Sequence, residues 1–66
     1  MILYETTNYK LTRLRVGSSL HSKIAGREVY FQPGTGLDLE IAALNEDVED
    51  QAKRDTLFDI LCAEYF

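Results

Sequence analysis

Ser18, Ser19, His21 and Ser22 gather in one short segment the side chains of nucleophilic catalysis. A serine nucleophile needs an imidazole to take its proton and a third group to orient that imidazole. In an extended segment His21 and Ser22 point to opposite faces, and no acid stands nearby in the sequence, so the segment reads as polar surface. Cys62 is the one cysteine, and its nearest charges are Asp59 and Glu64. A reactive thiol needs electropositive surroundings, so Cys62 reads as a core residue. Pro33-Gly34-Thr35-Gly36 precedes a helical pattern, and a helix start can offer backbone amides to a phosphate. The Lys-Ser/Thr pair of a nucleotide-binding loop does not follow, and Asp38 stands where the anion would lie, so a strand-to-helix turn is expected.

Two charged groups remain as candidate binding surfaces. Glu46, Asp47, Glu49 and Asp50 are the candidate partner-binding residues. They lack the spacing of a calcium loop, and they read either as the solvated start of a helix or as an acidic patch facing another protein. Lys10, Arg13 and Arg15 with Tyr9 are the candidate nucleic-acid-binding residues, because phosphates attract cations and exposed aromatics stack on bases. The acidic half could also imitate the phosphates of a nucleic acid and occupy a basic groove on an enzyme.

The elements that must position these residues divide the chain in two. Residues 1–33 carry five basic residues against two acidic ones, and residues 34–66 carry nine acidic against two basic. The first half is rich in β-branched and aromatic residues: 1–6 and 9–16 read as strands joined by a turn at Thr7-Asn8, with Leu11, Arg13 and Arg15 on one face. Gly17-Ser18-Ser19 should end that hairpin. Residues 20–25 and 27–32 flank Gly26, and 28–32 alternate as a strand. In the second half Thr35-Gly36-Leu37-Asp38 matches a capping box before a stripe of Leu37, Ile41 and Leu44, although 37–41 also alternate with period two. A longer helix is expected from about 47 to 65, its apolar stripe formed by Val48, Ala52, Leu57, Ile60, Leu61 and Tyr65 with Phe58 and Cys62 flanking it. The four clustered acids would then crowd its first turn, where the helix dipole favours them.

The expected fold is a single α+β domain over residues 1–66: a small antiparallel sheet of three or four strands, then one short and one long helix packed on one sheet face. With 66 residues, 45% of them hydrophobic, and neither the cysteines for a disulfide nor the ligands for a structural metal, the core is small enough that a partner chain would help it. No residue is expected to act in catalysis or to hold a cofactor or metal. The apolar run after Met1 is too short for a signal segment or a membrane span, and a lone thiol suits a reducing compartment, so a cytoplasmic address is expected. These readings converge on a protein-interaction module acting through its acidic helix or exposed aromatics, on another protein or on a second copy as a homodimer. Its style is that of a phage or mobile-element accessory protein. Nucleic-acid binding through the basic sheet is the alternative, and no membrane is expected as a partner.

Overall fold

The computed structural model describes residues 1–34 and 37–66, with residues 38 and 39 described by their backbone alone. Four strands follow one another as an antiparallel meander: β1 (Ile2–Glu5), β2 (Tyr9–Arg13), β3 (Ser18–Ser22) and β4 (Arg27–Phe31). Two helices complete the chain, α1 (Leu37–Asp47) and α2 (Gln51–Ala63). Among the described residues no helix is long and apolar enough to cross a membrane.

Register decides which side of the sheet each strand residue serves. Leu11 pairs with Leu20 and Leu20 with Val29, while Tyr9 pairs with Ser22 and Ser18 with Phe31. Because side chains alternate along a strand, these residues share the face that the helices cover. The buried serines are small residues set opposite large aromatics, so small and large side chains alternate across the covered face. Lys10, Thr12, Ser19, His21, Glu28 and Tyr30 occupy the opposite, uncovered face. In β1 the register shifts between Ile2 and Tyr4, and the extra residue, Leu3, packs partly buried against the core.

The core is closed by residues from both helices. Leu37, Ile41 and Leu44 of α1 are buried, as their spacing requires, so the segment 37–41 is helix and not a fifth strand. Phe58 and Cys62 of α2 are fully buried, and Phe58 stacks on Tyr4 with ring centroids 4.4 Å apart. Tyr65 and Phe66 also finish the core: Phe66 stacks on Tyr9 and Tyr65 meets Phe31 edge-on. The capping box expected at Thr35 to Asp38 lies outside the described residues.

Three boundaries differ from the sequence reading, each for a physical reason. β2 stops at Arg13 because Leu14 N–H donates to the Gly17 carbonyl (3.0 Å) and Gly17 adopts φ +83°, turning the chain at 14–17. Arg15 therefore lies in that turn and not on the strand face with Arg13. Ser18 and Ser19 belong to β3, because pairing with β2 and β4 outweighs the weak strand preference of serine. Finally, α2 begins at Gln51: Asp50 is its N-cap, with extended backbone and a carboxylate that accepts from Ala52 N–H (2.9 Å) and Lys53 N–H (3.4 Å).

The buried stripe of α2 is also rotated from the expected one, by about one residue or roughly 100°. Phe58 and Cys62 sit at its centre while Leu57 and Ile60 are exposed, at 40% and 57%. Hydrogen bonds fix that rotation. Asp55 accepts from the Tyr4 hydroxyl (2.6 Å) and from Gln51 Nε2 (2.7 Å). Asp59, one turn on, accepts from Thr6 Oγ1 (2.6 Å) and Asn8 Nδ2 (2.9 Å). Turning Leu57 and Ile60 inward would swing both carboxylates away from β1 and its turn.

Candidate functional site

The four acids singled out from the sequence do come together, but at a helix end of the opposite sign. Glu46 and Asp47 occupy the last turn of α1, which holds no basic residue, and Glu49 and Asp50 follow in the connection to α2. With Val48 and Lys53 they line one open depression at the α1–α2 corner. The C-terminal end of a helix carries partial negative charge, so two carboxylates there are repelled by the backbone and by each other. Among the described residues, no hydrogen bond or ion pair holds the side chain of Glu46, Asp47 or Glu49; the Glu49 carbonyl alone accepts from Arg54 Nη2, at 3.4 Å. Asp50 differs from them, since its carboxylate is occupied in capping α2.

Asp55 and Asp59, which the sequence does not single out as site residues, are the acids with structural duties. The Tyr4 hydroxyl holds the Asp55 carboxyl below its ordinary range, with Gln51 assisting. Conversely, burial and then the Asp55 carboxylate push the Tyr4 hydroxyl up to about 12. Their spacing of four residues on one helix was the available signal, but the sequence does not show which strand supplies the donors.

The nucleic-acid candidates are not brought to one surface. Tyr9 is 8% exposed and packed on Phe66, so its ring has no free face for a base. Lys10 stands on the uncovered sheet face, whereas Arg13 lies on the helix side at the end of β2, with Leu3, Ile41, Ala42 and Asn45 around a small depression. Arg13 and Arg15 do share one open depression, with Leu14, Val16, Gly17, Pro33 and Gly34. Tyr30 is the aromatic more than half exposed, at 54%, and its hydroxyl donates to the Val16 carbonyl (3.0 Å).

His21 faces an acid invisible in the local sequence. Glu28 lies directly across β3 and β4, with Oε1 3.6 Å from Nδ1, and Ser19 shares their face two residues before His21. This trio stands on the uncovered sheet face, and the depressions at the α1–α2 corner, the 14–17 turn and the outer side of α2 are lined by other residues. Acyl transfer would also need a cavity with oxyanion donors beside the trio. Cys62 is fully buried, and burial, reinforced by Asp59, pushes its thiol up to about 12, which makes it a poor nucleophile. Among the described residues no three His, Cys, Asp or Glu side chains are grouped to hold a metal ion.

Comparison with known proteins finds no family model, no curated protein and no solved structure that matches this chain.

Proposed function

We propose that this protein is an interaction module that docks on a basic surface of another protein through Glu46, Asp47 and Glu49 at the α1–α2 corner. One observation carries the reading: Glu46 and Asp47 sit at the helix end that disfavours them, without internal partners. Local rules are broken at a cost to the fold mainly where a surface serves something else. A cationic partner would reverse the sign of that cost, and steering by opposite charge would speed encounter. A basic groove that otherwise holds nucleic acid is one such surface, so a phosphate-imitating role is a special case of this reading. The proposal assigns no catalysis, and it places the module in the cytoplasm, in keeping with its unpaired thiol.

The test compares wild type with Glu46→Gln/Asp47→Asn/Glu49→Gln as affinity baits, leaving Asp50 in place because it caps α2. The expected result is a basic protein retained by wild type and lost by the variant. Its affinity for wild type, measured with purified components, should fall with salt. Equal retention by both baits refutes the proposal.

A second reading rests on Arg13 and Arg15, which line one depression and have no ion-pair partner among the described residues. Under it the 14–17 turn contacts a polyanion such as nucleic acid, with neither Tyr9 nor Lys10 taking part. Fluorescence anisotropy with a labelled oligonucleotide at low salt decides it, and no change in signal removes it.

A further inference from the structure

The rotation of α2 leaves a stripe on its outer side that has the pattern of a helix-pairing seam. Lys53, Leu57, Ile60 and Glu64 recur at spacings of four, three and four and are all exposed. Glu64 closes α2 with helical backbone angles, φ −65° and ψ −21°, so it continues the stripe. Neither Lys53 nor Glu64 has an ion-pair partner among the described residues.

The order of these residues is self-complementary. When two copies of α2 are laid antiparallel about the midpoint between Phe58 and Asp59, Leu57 of each meets Ile60 of the other. The same register brings Lys53 of each to Glu64 of the other. The two ion pairs then bracket an apolar centre at the ends of a seam about 16 Å long. A parallel pairing in register would instead oppose Lys53 to Lys53 and Glu64 to Glu64. Lys53, Thr56, Leu57 and Ile60 also have the spacing of a hole that accepts one knob from a facing helix, and a depression runs along Ala52, Lys53, Thr56 and Leu57. The Thr56 hydroxyl already donates to the Ala52 carbonyl (3.0 Å), so covering it strands no polar hydrogen.

We propose that a second copy of this chain occupies the outer face of α2, forming a two-fold symmetric, antiparallel helix pair centred on Leu57 and Ile60 and held in register by Lys53 and Glu64. The seam meets the acidic corner at Lys53, which lines both, while its apolar centre at Leu57 and Ile60 lies outside that corner, so Ile60→Glu tests the pairing apart from the docking proposed there. A seam one helix long buries less than a standard interface, which puts the dissociation constant at about 10–100 µM.

Sedimentation equilibrium from about 1 µM to 1 mM tests the pairing, with the melting temperature recorded on each sample because self-association makes it concentration-dependent. Wild type should pass from monomer to dimer. Ile60→Glu, at an exposed position that leaves the monomer's circular dichroism unchanged, should weaken the dimer by at least about tenfold. Lys53→Glu places like charges at both ends of the seam and should weaken it about three- to tenfold. Combining Lys53→Glu with Glu64→Lys restores both pairs and should return the constant to within about twofold of wild type. A wild type that stays monomeric throughout overturns the proposal, as does a Lys53→Glu variant that dimerises as tightly as wild type or a swap that recovers nothing.

Discussion

Neutralising the acidic corner should make this protein more stable. Glu46 and Asp47 stand in the last turn of α1, which itself holds no basic residue, and Glu49 adds a third negative charge just beyond. An exposed charge of the wrong sign at a helix end costs about 0.3–1 kcal/mol, so relieving Glu46 and Asp47 together is worth about 1 kcal/mol. For a domain of this size that corresponds to a rise in melting temperature of about 4–8 °C. The variant is Glu46→Gln/Asp47→Asn/Glu49→Gln, isosteric at each position and silent towards the Asp50 cap. Thermal unfolding followed by circular dichroism at low ionic strength reads the shift, and the gain should shrink as salt screens the wild-type repulsion. An unchanged or lower melting temperature would mean that these carboxylates serve the fold. The argument that they are held for a partner would then lose its basis.

The other acids should behave in the opposite way. Asp59→Ala removes two hydrogen bonds to a charged acceptor in a partly exposed setting, which should cost about 1–2 kcal/mol in chemical denaturation, and a cycle with Thr6→Val should show the pair coupled. Gly17→Ala should be the more damaging of two glycine substitutions: at Gly17 a Cβ would collide with the Phe31 carbonyl, whereas at Gly26, also at positive φ, it meets open space and costs only the left-handed backbone term of about 1–2 kcal/mol. Titration should destabilise the fold at both extremes. Glu5, paired with Lys23, and Asp55, bonded by Tyr4, lie below their ordinary values of 4.5 and 3.8. Their contribution is present above about pH 4 and is lost as pH falls through the lowered values. Tyr4 is raised from 10.0 to about 12, so its contribution is complete below about pH 10 and lost as pH climbs through 12; melting curves of wild type and Tyr4→Phe across both limbs check each sign. Cys62 should resist thiol reagents in the native state and react only at the rate of unfolding, and rapid labelling at neutral pH would contradict its burial.

The sequence carried the architecture through pattern: the Thr7-Asn8 turn, the Leu37-Ile41-Leu44 stripe and the change of periodicity after Pro33 each have one short-range physical cause. It misled where a long-range contact chose between local alternatives. In α2 the residues Leu57 and Ile60 are as apolar as Phe58 and Cys62, and periodicity alone prefers the larger set. What selects the other face is Asp55 and Asp59 finding donors 51 to 53 residues away. The same holds for the candidate site. The four acids were legible as a cluster, but whether they open a helix or close one depended on Asp50 capping the next. Lys10 and Arg13 looked like neighbours in one basic patch, and strand alternation with the early turn at 14–17 put them on different faces.

The clamp between the first hairpin and α2 also orders the folding reaction in time. Every strand of the meander pairs with its neighbour in the chain, so each hairpin closes a short loop and forms early. The bonds from Tyr4 and Thr6 to Asp55 and Asp59 close loops of 51 and 53 residues and repay that closure only when α2 docks. Truncating Leu11 or Leu20, at the centre of the β2–β3 pair, should therefore slow folding. Removing Asp59 should leave the folding rate almost unchanged and appear as faster unfolding, which makes the lifetime of the native state a property of the last helix to arrive.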